Sequence, residues 1–217
     1  FYFGRSGDLP VPGDYDGDGL TDPAIFRPRM GLWAISGLTR LYFGGADDIP
    51  VPGDYDGDGT VDPGIFRDAS GLWAIRGITR RYYGKTGDLP IPGCYLMGSG
   101  DLIGIWRPES GLWAIPGFTR CYFGGEGDYP VPGDYGHQGS KEDVVIFRPS
   151  TGLWALKDKY RQYFGMNGDI PQPAHFRPRG VYVCSDFAVY RPASGLWAVR
   201  DFTRFYWGGP DYLPLAN

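Results

Sequence analysis

The chain has 217 residues, a formal net charge of −4 and an aromatic content of 17%. Glycine (36) and proline (20) approach the level typical of disordered proteins, but the aromatic residues supply the burial that disordered chains lack. The charge gives no basic footprint for nucleic acid, and no apolar run is long enough for a membrane-spanning helix.

A Gly-Leu-Trp tripeptide recurs through the whole chain. Its tryptophans are Trp33, Trp73, Trp113, Trp154 and Trp197, so that successive steps are 40, 40, 41 and 43 residues. An aromatic-Arg pair precedes each tripeptide, and an aromatic pair with glycine follows it. This periodicity indicates five copies of one unit, approximately 5–44, 45–84, 85–124, 125–165 and 166–208.

Each copy is predicted to contain four short strands. In the first copy these are Val11–Tyr15, Ala24–Arg27, Leu32–Ile35 and Arg40–Phe43, separated by glycine, proline and aspartate turns. Stretches such as Leu32–Ile35 are apolar without alternation, which is typical of a sheet covered on both faces. The sequence therefore predicts an all-β fold, a small propeller of five blades with four antiparallel strands each, as a single domain over residues 1–217.

The two ends of the chain overlap in this alignment, with residues 1–4 and 209–217 outside the five copies. Because the segment 1–14 aligns with 205–217, the Phe-Gly strand occurs six times. Either one copy completes a terminal blade by lying beside the other end, or it pairs with another molecule, or the chain belongs to a longer array. The second alternative predicts self-association through a surplus terminal strand.

Two copies carry the pattern DxDxDGxxD, which predicts calcium sites. Carboxylates at alternate positions of a tight loop converge on one point, a glycine allows the turn, and the next carbonyl can face inward. An oxygen-only shell of this kind suits Ca²⁺. The predicted ligands are Asp14, Asp16, Asp18, the Leu20 carbonyl and Asp22 in the first site, and Asp54, Asp56, Asp58, the Thr60 carbonyl and Asp62 in the second.

The other three copies have lost this pattern in different ways. Cys94 and apolar residues replace the acids in the third copy, the fourth keeps Asp134 and Asp143 without the middle pair, and the fifth has a longer loop beginning at His175. We expect His137 and His175 to be surface residues rather than ligands of a transition metal.

The pattern PVPGDYDGDGxxDxxIFRP, followed by a Gly-x-Trp strand and a Phe-Gly strand, resembles the FG-GAP/VCBS-type repeats of bacterial surface and secreted proteins. Those repeats are similar to the calcium-bearing blades of the integrin α-subunit propeller. The resemblance covers essentially the whole chain and is most specific at 10–28 and 50–67. It implies a propeller, structural Ca²⁺, a secreted or cell-surface location, and adhesion or binding as the usual role.

The recurring tryptophan and arginine residues allow two interpretations. They either form repeated pockets for a glycan or protein, or the tryptophans are core between blades, which their place in apolar strands favours. Buried arginines need partners. Either they pair with the aspartates of the recurring Asp-x-Pro step, Asp8, Asp48, Asp88, Asp128 and Asp169, or they cap backbone carbonyls. Cys94, Cys121 and Cys184 allow at most one disulfide, and we expect free thiols.

No nucleophile–base set, phosphate loop or general acid–base pair emerges from the sequence, so we expect no enzymatic activity. A calcium-stabilised extracellular binding or adhesion module, with an unknown glycan or protein ligand, is the leading hypothesis. The alternatives are an architectural repeat domain of a larger surface or filament-forming protein and, less favoured, a polysaccharide-active enzyme.

Overall fold

The computed structural model describes residues 3–136, 141–177, 184–210 and Tyr212. The chain divides into two compact units. One runs to Cys94 and adds Gly98–Arg107 and Ala114–Arg120, and the other takes Tyr95–Met97, Pro108–Trp113 and the chain from Cys121 onward. Most of the overlapping terminal residues (1, 2, 211 and 213–217) lie outside the described residues, so the surplus strand stays a prediction.

Each copy forms one antiparallel sheet whose four strands follow each other in chain order. The fold class, an all-β propeller with five four-stranded blades, is confirmed. The strands are β1 Leu9–Pro10, β2 Ala24–Arg27, β3 Leu32–Ile35 and β4 Thr39–Tyr42; β5 Asp48–Pro50, β6 Gly64–Arg67, β7 Leu72–Ile75 and β8 Thr79–Tyr82; β9 Leu89–Pro90, β10 Ile105–Arg107, β11 Leu112–Ile115 and β12 Thr119–Tyr122; β13 Tyr129–Pro130, β14 Val145–Arg148, β15 Leu153–Leu156 and β16 Arg161–Tyr163; β17 Ile170–Pro171, β18 Ala188–Arg191, β19 Leu196–Val199 and β20 Thr203–Tyr206.

The two middle strands of the first copy lie where the sequence predicts them, but the first strand does not. It spans Leu9–Pro10, where Leu9 pairs with Phe26, instead of Val11–Tyr15. Val11 still donates to the Ala24 carbonyl, and Pro12 then ends the ladder because it has no N–H. Pairing resumes only as a single bridge between Gly13 and Asp22.

The repeated tryptophans are core residues, as predicted. Trp33 and Phe26 are completely buried, and their rings lie 5.2 Å apart between centroids. They pack in one cluster with Ile65 and Ala74 of the next sheet. The Trp33 indole donates to the Phe43 carbonyl at 3.0 Å, so that its polar atom is satisfied inside the core. The first sheet therefore buries one face against the second.

A buried aspartate holds an arginine by two parallel hydrogen bonds in every copy. In the third copy Asp88, 1% exposed, accepts Nε of Arg107 at 2.7 Å and a terminal nitrogen at 2.9 Å. The pairing of the Asp-x-Pro aspartates is thus confirmed. The five pairs are Arg27–Asp8, Arg67–Asp48, Arg107–Asp88, Arg148–Asp128 and Arg191–Asp169.

The three cysteines are free and partly buried. The expectation of free thiols is confirmed, and the fold contains no disulfide among Cys94, Cys121 and Cys184. The blades are accordingly held by apolar packing and by the Asp–Arg pairs.

We predict that Arg107→Met destabilises the fold by about 2 kcal/mol, because it leaves the buried Asp88 carboxylate without its charged donor. The matched control is Arg120→Met in the same sheet. Arg120 is exposed, so its loss should change stability by less than about 0.5 kcal/mol. Urea unfolding of both variants checks this. Equal effects would contradict a structural role for the pair.

The Asp8 carboxyl should titrate below its ordinary range. Its hydrogen bond from Arg27 lowers the pKa, opposed by burial and helped by the Arg5 backbone N–H. A depressed native pKa means that the pair stabilises the fold above the unfolded value of about 3.9, and that this stability is lost as pH falls through the native pKa. NMR titration should find the low pKa, and Arg27→Met should raise it. An unchanged pKa in the variant would refute the assignment.

Candidate metal centre

The first three acids of each predicted calcium loop come together. Carboxylate oxygens of Asp14, Asp16 and Asp18 all lie within 4.8 Å of one another, and the same holds for Asp54, Asp56 and Asp58. Two ligands on opposite sides of a calcium ion are about 4.6–5.2 Å apart, since each Ca–O distance is about 2.3–2.6 Å. The spacing of each triad therefore fits three ligands of one ion.

The loop backbone fixes the first acid of the triad. Asp14 accepts the N–H of Gly17 at 2.7 Å through one oxygen and that of Gly19 at 2.8 Å through the other. Gly17 and Gly19 have φ angles of 78° and 81°, a conformation that glycine adopts without strain. Asp54 makes the equivalent bonds to Gly57 and Gly59. The glycines thus allow a turn that points the acids to one side.

The residue at the seventh position of each loop donates a hydrogen bond to the aspartate at the fifth position. Leu20 donates its backbone N–H to Asp18 at 2.7 Å, and Thr60 donates both its N–H and its hydroxyl to Asp58. These bonds lower the pKa of Asp58, with the Thr60 hydroxyl as the largest cause. The Asp58 carboxylate is therefore favoured in its charged form.

The ninth-position acids stand apart from the triads. Asp22 accepts the Tyr15 N–H at 2.9 Å, and Asp62 accepts the Tyr55 N–H at 3.0 Å. Burial raises the pKa of Asp62, and the charges of the triad raise it further. Each of these acids consequently closes the loop on its own backbone, whether or not it also binds a metal.

Sequence reasoning missed one acid, Asp101, which the third copy contributes beside the second triad. Its carboxylate accepts the Asp54 N–H at 3.0 Å. Burial raises the pKa of Asp101 to about 6, with further contributions from Asp54 and Asp62. In the sequence Asp101 is visible only as an acid directly before the ninth loop position of the third copy, where the second copy has Val61. No local pattern connects Asp101 to the loop of the preceding copy.

In three of the loops the first acid also contacts the next copy through its backbone. The Asp14 carbonyl accepts the Val61 N–H at 2.7 Å, the Asp54 carbonyl accepts the Asp101 N–H at 2.6 Å, and Asp134 accepts Ser185 in the same way. The backbone that presents the carboxylates is thus the backbone that receives the neighbouring loop. Ordering a triad would order this contact.

The fourth copy places a lysine where the middle acids of the triad are lost. Lys159 Nζ lies 2.6 Å from Asp143 Oδ1. Gly136 occupies the position that corresponds to Asp16 in the first copy. A Cβ atom at Gly136 would lie only 2.6 Å from Lys159 Nζ. The Oδ2 atoms of Asp134 and Asp143 are buried without a hydrogen bond. A side-chain cation therefore offsets the charge of the remaining acids.

The fifth copy does the same with an arginine. The bridge between Ala174 and Asp186 corresponds to that between Gly13 and Asp22, which puts Arg177 at the position of Asp16. Arg177 Nε bonds Asp186 at 2.9 Å, and Phe176 N–H bonds the other oxygen. His175 is exposed and bonds the Cys184 carbonyl. His137 lies outside the described residues.

The donor chemistry of the five loops is therefore consistent with a cation in the first two. The fit rests on three carboxylates per triad, with no basic side chain bonded to them among the described residues. In the two later loops that keep a ninth-position acid, lysine or arginine supplies the positive charge. In the third copy Leu96 and Leu102 stand at the corresponding positions, so little charge remains to be balanced.

Comparison of the chain with protein-family models, with curated proteins and with solved structures finds no match. The argument for function therefore rests on the residues themselves.

We predict that Gly100→Ala disrupts the contact between the second and third copies. A Cβ at Gly100 would meet the Asp54 and Tyr55 carbonyl oxygens at 2.7 Å and the Gly57 nitrogen at 2.8 Å, all of them backbone atoms that cannot give way. The variant should lose about 1–3 kcal/mol of stability and bind calcium more weakly at the second loop. Gly125→Ala, whose Cβ meets nothing within 4 Å, is the control. Urea unfolding and calcium titration check both, and identical behaviour of the two variants would contradict the contact.

Proposed function

We propose that this protein is a calcium-stabilised binding module with no catalytic role, acting outside the cell. The proposal includes two Ca²⁺ ions, one at each triad. The observation that supports it is that one residue serves both the triad and the contact between copies. Asp14 and Asp54 each contribute a carboxylate to the triad and a backbone carbonyl that accepts a hydrogen bond from the next copy. A bound ion would supply the positive charge that Lys159 and Arg177 supply elsewhere.

The extracellular location follows from the metal. Loops assembled from three carboxylates and backbone groups in extracellular modules bind calcium with millimolar to submillimolar affinity, and calcium reaches that level outside the cell. The resemblance to FG-GAP/VCBS-type repeats supports the same location and an adhesive role. None of the described helices is long and apolar enough to cross a membrane.

A binding role is favoured by the fold together with the repetition. Five related sheets present five related surfaces, and repeated weak sites gain avidity when a partner engages several of them. The ligand in this proposal is a glycan or a protein surface. Its contacts would lie on exposed residues that the copies share, because shared buried residues are explained by packing.

Calcium should raise the melting temperature. An ion at a hundred times its dissociation constant adds about 2.7 kcal/mol per site, which corresponds to a rise of about 5–10 °C per site for a chain of this size. Differential scanning calorimetry with calcium, with magnesium and with a chelator checks this. A melting temperature that the chelator leaves unchanged would overturn the structural role of calcium.

Substitution of the middle acids should abolish the calcium-dependent rise. Asp16→Asn with Asp56→Asn removes one ligand from each triad, so the melting temperature should no longer respond to the chelator. Asp134→Asn is the matched control, because Gly136 and Lys159 leave no triad in its loop. A calcium response lost equally in the control would contradict the assignment of the sites.

A further inference from the structure

The fourth strand of every sheet carries an identical pair of exposed residues, Arg-x-Tyr. The side chains of the five tyrosines are 65–74% exposed, and the five arginines are exposed as well. The residue between them varies as Leu41, Arg81, Cys121, Gln162 and Phe205. The pairs are Arg40 and Tyr42, Arg80 and Tyr82, Arg120 and Tyr122, Arg161 and Tyr163, and Arg204 and Tyr206.

Burial does not account for this identity, although four of the tyrosines lie close enough to the aspartate-paired arginine of their own sheet to interact with it electrostatically. The acidic triad survives in two copies, yet the exposed pair survives in all five. An exposed charge on an edge strand discourages pairing with another chain, but a charge at any position of the strand serves that purpose and a tyrosine does not. A shared exposed pair on one face of the strand is what a repeated contact with a ligand requires.

A tyrosine from the first of these pairs and the arginine from the second line a groove between adjacent sheets, and we call grooves of this kind edge grooves. Between the first two sheets the groove is a cavity of about 350 Å³ with Tyr42 on one side and Arg67, Leu72 and Arg80 on the other. The strand register explains this lining, because residues that pair across strands lie on the same face of the sheet. Arg67 pairs with Leu72, Leu72 pairs with Tyr82, and Ala74 pairs with Arg80. A second cavity, of about 520 Å³, lies between Phe164 and Arg204 of the last two sheets.

The groove between the first two sheets is lined by two arginines and no acidic residue. In the groove between the last two sheets Asp201 pairs with Arg200, which leaves Arg204 as the unbalanced charge. Arg67 is already bonded through two nitrogens to the buried Asp48, whereas Arg80 has neither an ion pair nor a hydrogen-bond partner within the described residues. The same holds for Arg40, Arg120, Arg161 and Arg204 in that part of the chain. The edge strands β4, β8, β12, β16 and β20 contain no acidic residue, although the whole chain has a formal charge of −4.

We infer that the edge grooves bind a polysaccharide that carries carboxylate groups, one carboxylate at each unpaired arginine. The inference rests on the proposed function of a binding module. A guanidinium presents two parallel N–H groups in a plane, which matches the two oxygens of a carboxylate. In the groove between the first two sheets, Tyr42 offers an aromatic face and a hydroxyl to a sugar ring. A polymer with a repeating charge suits repeated sites, because linked weak contacts add in avidity.

The test is binding of the full chain to polygalacturonate, measured by surface plasmon resonance in the presence of calcium. The groove variant carries two arginine-to-glutamine substitutions, at Arg80 and Arg204, which line the two grooves described above. The control variant carries two at exposed arginines outside these grooves, Arg29 and Arg76. Both variants lose two positive charges, so their net charge is the same.

We expect the wild type and the control variant to bind equally, and the groove variant to bind at least about tenfold more weakly. The fully methyl-esterified polymer, which has no free carboxylates, should not bind. Equal losses in the two variants would overturn the inference in favour of general charge attraction. Tighter binding to dextran sulfate, or undiminished binding to the esterified polymer, would overturn the carboxylate as the recognised group.

Calorimetry distinguishes a failure of the polygalacturonate inference from a failure of the proposed function. If calcium raises the melting temperature and another glycan or a protein binds at the grooves while polygalacturonate does not, the module stands and the ligand class is wrong. The urea midpoints of the groove variant and of the wild type should agree, because the substituted side chains are exposed. A lowered midpoint would assign the arginines a structural role and overturn the inference.

Discussion

Burial of both faces of a four-stranded sheet is the constraint on which this fold depends. A strand such as Leu32–Ile35 is buried at every position, so a single copy cannot hide its apolar residues by itself. Phe26 and Trp33 of the first copy are covered by Ile65 and Ala74 of the second, and in the last two copies Phe147 and Trp154 pack with Val189 and Ala198. The tryptophan is the largest contributor because it fills the space between sheets and still satisfies its indole N–H.

Polar groups at the ends of the sheets are constrained by the same burial. An aspartate at 1% exposure would be costly without a partner, and the arginine opposite it donates two bonds in every copy. The aspartate also accepts a backbone N–H three residues earlier, as Asp88 does from Lys85, which fastens the turn before the strand. The ion pair therefore connects turn and sheet, and its repetition follows from the repetition of that turn.

The acidic loop and its equivalents in the other copies lie at the end of the sheets opposite the Asp–Arg pairs. They balance or remove the charge of their acids in three different ways. Acids gathered in one loop repel each other, and the charge must be balanced or removed. The first two copies keep the acids, the third replaces them with leucine and cysteine, and the fourth and fifth place Lys159 and Arg177 beside the remaining aspartate. In the first, second and fourth copies the carbonyl of the first loop residue accepts a hydrogen bond from a backbone N–H of the next copy. The contact between copies is thus the common requirement, and the charge is balanced locally around it.

The sequence predicts what repeats and misses contacts that occur in one copy alone between residues distant in the chain. The strand pattern, the buried tryptophans and the Asp–Arg partners are periodic, and each follows from residue types within one unit. The boundary of β1 was wrong because Pro12 removes a donor in a stretch that otherwise resembles a strand. Asp101 and Lys159 occur once each, and their roles arise from contacts with residues 47 and 16 positions away, which no local pattern encodes.

Comparison of the copies with one another separates two kinds of identity. Shared buried residues, such as Trp33 and Trp73, are explained by packing, and shared glycines such as Gly44 and Gly124 by a close approach to the next sheet. The exposed Arg-x-Tyr pair has neither explanation. Since the copies have diverged at the acidic loop, identity at an exposed position that burial does not explain favours a contact outside the chain. This identity is the observation on which the proposed ligand contact of the edge strands rests.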